Sequence, residues 1–80
     1  MRIKIRNEHN ELVVVLEGST AQKQINNIID CPEMEPVTLK KGSKYSCGFK
    51  ATADMKLITS PESAVFVWKG STVLVGDDNV

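Results

Sequence analysis

Reactive side chains are few in this chain and stand far apart. His9 is the only histidine and falls in the turn-forming run Asn7-Glu8-His9-Asn10, with no serine, cysteine or carboxylate spaced to make it the base of a nucleophilic pair. Cys31 and Cys47 have no paired Cys-x-x-Cys spacing, so together with His9 they leave a tetrahedral zinc site one ligand short. Glu33 with Glu35, and Asp77 with Asp78, are close enough for acid–base work, but both pairs fall where loop or tail is expected and water would solvate them. The steps Gly18-Ser19, Gly42-Ser43 and Gly70-Ser71 have neither GxxxxGK nor GxGxxG spacing and read as turns, not phosphate cradles. These residues point away from an enzyme and imply no cofactor and no metal.

Two stretches remain that would suit binding. In LKKGSKYSCGFK, from Leu39 to Lys50, basic side chains interleave with Tyr45 and Phe49, a pattern that could meet phosphates and stacked bases. Strict alternation, however, sets Tyr45 and Phe49 on one side and Lys44 and Lys50 on the other, which a core strand with a solvated face also produces. The second stretch is Ala64-Val65-Phe66-Val67-Trp68, apolar on both sides, which exceeds what one helix and one small core would cover and leaves Phe66 or Trp68 as an exposed interface anchor.

The elements that must carry these residues follow from periodicity. Met1, Ile3 and Ile5 alternate with Arg2, Lys4 and Arg6, a strand with one apolar and one wholly basic face. Leu12 to Leu16 is β-branched and apolar on both faces, which predicts a strand inside the sheet, paired in a hairpin with the first. After Gly18, Ser19 or Thr20 can cap a helix whose positions Ala21, Ile25, Ile28 and Ile29 form one core-facing stripe. At ~1.5 Å per residue that helix is ~16 Å long and covers one sheet. Pro32 and Pro36 bracket an acidic loop. Beyond it the sequence predicts strands at 37–39, 45–53 and 55–59, and a final hairpin in which 64–68 joins 72–75 through Lys69-Gly70-Ser71. Residues 77–80 read as a flexible tail after a single domain spanning 1–76.

The expected fold class is therefore α+β: a small domain in the order ββα followed by three to five strands, one antiparallel-rich sheet packed by a single helix. The hairpin and helix of residues 1–30 resemble the opening of β-grasp, ubiquitin-like domains. The strand-rich second half departs from that layout, and the closing Gly-Asp-Asp-Asn-Val has no terminal di-glycine, so no conjugation chemistry carries over.

Composition sets the outer bounds. A chain of 80 residues with 41% hydrophobic and 25% charged residues has the make-up of an ordered globular domain, with material for one core and little for a deep cleft. The apolar run Leu12–Leu16 falls far short of the ~20 residues of a membrane helix, and no signal-peptide core follows Met1, so a cytoplasmic protein without membrane contact is expected. Ten basic and ten acidic residues cancel, which gives no whole-molecule field toward nucleic acid.

A small protein-binding module without enzymatic activity is the reading these features favour, such as a virus- or mobile-element-encoded inhibitor of a host enzyme or defence complex. Its expected contacts are Phe66 and Trp68, with Arg2, Lys4, Arg6, Lys40, Lys41 and Lys44 for steering. The alternative is a nucleic-acid-binding protein using the Lys40–Lys50 segment, and a sheet edge offers a route to a homodimer.

Overall fold

A computed structural model describes residues 1–80 as one helix and seven strands, every strand pair antiparallel. In chain order these are β1 (Arg2–Arg6), β2 (Leu12–Glu17), α1 (Gly18–Ile29), β3 (Met34–Val37), β4 (Tyr45–Ala51), β5 (Met55–Ser60), β6 (Ser63–Val67) and β7 (Thr72–Gly76). Five strands form a sheet in the order β2-β1-β7-β4-β3, while β5 and β6 form a separate two-stranded sheet. No helix is long and apolar enough to cross a membrane.

Alternation builds the main sheet. Ile3 and Ile5 on β1, Val73 and Val75 on β7, Phe49 and Ala51 on β4 and Met34 on β3 all turn to one face and are buried there. Arg2, Lys4 and Arg6 stand on the other face. The core closes when α1 and the β5–β6 hairpin cover the apolar face, α1 through Ala21 and Ile28 and the hairpin through Leu57 and Val67. Gln24, also buried, joins these two covers by donating from Nε2 to the Ile58 carbonyl at 2.7 Å.

Five features differ from the sequence reading. The strands form two sheets instead of one, because β6 pairs with β5 and not with β7. Val73 and Val75 carry β7 into the slot between β1 and β4, so β5–β6 has no free neighbour there and packs face to face over the core. The Lys69-Gly70-Ser71 segment is the crossing between layers, held by bonds from Gly70 N–H to the Ala51 carbonyl and from Ala51 N–H to the Ser71 carbonyl, both 2.9 Å, with Gly70 at φ +90°.

β2 is an end strand, not an interior one. Its two-faced apolar pattern follows instead from a core on one side and an uncovered surface on the other. In β4 a register shift between Tyr45 and Cys47 inserts one residue, so Tyr45 lies opposite Gly76 on the basic face while Phe49 lies opposite Val73 in the core. Alternation alone had placed the two aromatics together. The acidic loop contains β3, an edge strand that tolerates Pro36 because its other side pairs with Phe49 of β4. Finally, α1 begins at Gly18 (φ +57°) with no side-chain cap bond, its Gly18 N–H going to the Met1 carbonyl at 3.2 Å.

Residues 77–80 fold back on β1. The Met1 amino group pairs with Asp78 at 2.5 Å and Arg2 donates to the Val80 carbonyl at 2.5 Å.

Candidate functional site

The outer face of β5–β6 holds the largest solvent-facing aromatic surface of the molecule. The register sets Lys56 opposite Phe66 and Ile58 opposite Ala64, so these four side chains share a face while Leu57 and Val67 point into the core. Trp68 follows one step past β6 on the outer side. Its backbone is fixed by a bond from Ser71 N–H to the Trp68 carbonyl at 3.0 Å and, one residue on, from Lys69 N–H to Asp54 Oδ1 at 2.7 Å.

The two rings lie parallel, with centroids 5.6 Å apart and planes 9° from each other. The Lys56 Nζ stands 5.5 Å from the Phe66 centroid, within cation–π range. Phe66 is 54% exposed, and Trp68 and Ile58 are each 58% exposed. Burying such rings would normally be favourable by ~1.5–3 kcal/mol for a side chain of this size, so a water-facing pair already stacked in one orientation has area to give to a partner and little ordering entropy to lose. Beside it runs a shallow groove of about 180 Å³ lined by Lys56, Ile58, Ala64 and the Ser60–Ser63 turn.

The basic residues form a second surface on the far side of the core. Arg2, Lys4 and Arg6 project from β1 on the face opposite Ile3 and Ile5, and Lys50 projects from β4 beside them. Arg2 is taken up internally: its Nε lies 2.9 Å from Glu17 Oε1, off the hydrogen-bonding direction, and its terminal nitrogen bonds to Val80. Arg6 donates to the Asn10 carbonyl at 3.1 Å. Lys4 and Lys44 flank Tyr45 around a cleft of about 310 Å³ that Asn79 and Val80 also line. Lys40 and Lys41 are exposed in the β3–β4 connection, over a groove floored by Val37, Leu39 and Leu74.

Phe66 and Trp68 are thus brought together, as are the cations, but the two sets face opposite directions. Lys56 and Ile58 were not singled out from the sequence, because their place beside Phe66 depends on β5 being the partner of β6.

The remaining reactive groups stay apart. His9 is exposed in a turn closed by Asn7 Oδ1, which accepts from the N–H groups of His9 and Glu11, and its Nε2 is 3.6 Å from Glu8. The half-buried Cys31 thiol donates to Glu33 Oε2 at 3.2 Å; partial desolvation, then that carboxylate, raise its pKa above the usual value and keep it protonated and weakly nucleophilic. Cys47 is free and half-buried against the core. No group of three or more histidine, cysteine, aspartate or glutamate side chains converges as metal ligands would.

Fold and surface together define a one-helix, seven-strand α+β domain with an exposed aromatic face. The chain matches no known protein family, and comparison with curated proteins and with solved structures finds none similar to it.

Proposed function

We propose that this chain is a non-enzymatic protein-binding module that acts by occupying a surface of another protein, with the outer face of β5–β6 as its contact. The mode suits a virus- or mobile-element-encoded inhibitor of a host enzyme or defence complex. One observation carries the reading: Phe66 and Trp68, stacked and more than half exposed, form a rigid apolar anchor on a hairpin whose other face belongs to the core. Tryptophan anchors of this kind dominate interface energies, each worth ~2 kcal/mol or more when truncated.

Lys56 and Ile58 extend the contact, Lys56 by supplying a positive rim beside the rings. Lys4, Arg6, Lys40, Lys41 and Lys44 act at most on approach, since the molecule is at least 24 Å across in every direction and charge is screened within ~8 Å at physiological salt. The test is affinity capture from lysate with and without nuclease, comparing the natural chain with Trp68→Ala. A stoichiometric protein that resists nuclease and is lost with Trp68→Ala supports this reading.

A second reading, nucleic-acid binding, is favoured by the β4 bulge, which turns Tyr45 toward Lys4 and Lys44. A base stacked on Tyr45 with phosphates on those lysines would bind with a steep salt dependence, which the aromatic face would not show.

A further inference from the structure

Each of the two sheets has two edges, and three of the four are closed. β3 carries Glu35 and Pro36, and β2 is broken by a bulge at Val13, where the register skips from Ile5–Val14 to Arg6–Leu12. β5 lies against α1, whose Gln24 Nε2 donates to the Ile58 carbonyl at 2.7 Å. The outer edge of β6 has no such cover. Ser63 to Val67 contains neither a charged residue nor a proline, and no strand lies beyond it.

The Gln24 bond also fixes which groups that edge offers. Because the Ile58 carbonyl points to the helix, Ile58 and Ala64 form a pair whose backbone groups face away from each other, and so do Lys56 and Phe66 two residues along. The N–H and carbonyl of Ala64 and of Phe66 therefore point outward from the hairpin, and no turn or loop bond takes them up. They repeat every second residue, ~6.8 Å apart, the spacing of an extended main chain. Their side chains stand on the outer face with Trp68, while Val65 between them is half-buried beside the core.

Given that the Phe66–Trp68 face is a protein contact, the reading on which this inference rests, we propose that an extended, alternately apolar segment of the partner protein adds to β6 as a third strand bonded to Ala64 and Phe66. Residues paired with Ala64 and Phe66 put their side chains on the outer face against the two rings, and the alternate ones meet Val65. A second copy of this chain fits less well. A two-fold seam centred on Val65 sets Phe66 beside the small Ala64 of the copy and leaves both ring pairs in water. At ~17 Å by ~10 Å, that seam also falls far below the ~800 Å² per partner of a standard interface.

The probe is a random peptide library of ~7 residues, selected on the immobilised natural chain. Enriched peptides should alternate β-branched or aromatic residues, and amide exchange at Ala64 and Phe66 should slow when they bind. N-methylation of their edge-facing amides should weaken binding ~10-fold or more, and so should Ala64→Pro, which removes an outward N–H and spares the β5–β6 ladder. Trp68→Ala should weaken it as well. The N-methylated peptides are tested on the natural chain, so they decide even where Ala64→Pro fails to fold. No enrichment would overturn the proposal. Peptides lost with Trp68→Ala yet indifferent to N-methylation would overturn strand addition alone and keep the aromatic-face reading, whereas peptides indifferent to Trp68→Ala would overturn that reading and the proposal with it. Exchange at Ala64 and Phe66 that slows with the chain's own concentration would assign the edge to a second copy and contradict the proposal.

Discussion

The β5–β6 hairpin and the central strands of the five-stranded sheet use the same β-branched and apolar residues, yet they spend them differently. β1 and β7 are paired on both sides; β1 gives Ile3 and Ile5 to the core face and basic residues to the other, and β7 gives Val73 and Val75 to the core while Leu74 is half-buried on the far face. The hairpin is paired only with itself and gives just Leu57 and Val67 fully to the core, while Ile58, Phe66 and Trp68 face water. Ile5 and Ile58 carry the same side chain, one almost wholly enclosed and the other more than half exposed. The difference assigns stability to one region and leaves the other free to serve a contact.

The largest effect should come from cutting matching side chains in the two regions. Ile5→Ala should cost ~2–5 kcal/mol, since it opens a cavity between the sheet and its covers, whereas Ile58→Ala should stay within ~0.5 kcal/mol. Chemical denaturation of both variants measures the gap; equal losses would mean that the hairpin carries as much of the fold as the sheet. Next is the tie between the regions. Gln24→Ala removes the 2.7 Å bond to the Ile58 carbonyl and should cost ~1–3 kcal/mol, with amide exchange rising in β5–β6 before it rises in β1 and β7.

The smallest effect concerns acid. The Met1 amino group, by hydrogen bond and charge, and then Arg2 hold the Asp78 carboxyl below its ordinary pKa. A depressed carboxylate contributes stability that is present above its unfolded pKa and fades as pH falls through the lower folded value. The stability difference between the natural chain and Asp78→Asn should therefore be small at neutral pH, because the pair is exposed, and vanish in acid. Thermal melts of both proteins against pH measure it.

Local pattern made the first thirty residues legible. The alternation of Ile3 and Ile5 and the spacing of Ala21, Ile25 and Ile28 report the hairpin and helix directly, because neighbours in sequence make those contacts. The second half was legible as strands but not as a topology. Nothing local to Thr72–Gly76 says that it inserts between β1 and β4, and that one long-range choice redirects β6 to β5. The single extra residue at Ser46 that turns Tyr45 outward has no signature in a run that alternates well on paper. For the same reason Phe66 and Trp68 stood out as surplus apolar residues, while Lys56 and Ile58, which complete their surface, did not. The apolar residues of β2 were visible, but two-faced burial and an open edge leave the same sequence pattern.

The aromatic face and the basic face make opposite claims on function, and one capture experiment separates them. Tagged natural chain, Trp68→Ala, and the triple change of Lys40, Lys41 and Lys44 to Glu are exposed to the same lysate with and without nuclease. The account predicts a protein partner that survives nuclease, is retained by the lysine variant and is lost with Trp68→Ala. Recovery that vanishes with nuclease and with the lysine variant, yet persists with Trp68→Ala, would contradict it and move the function to the basic face.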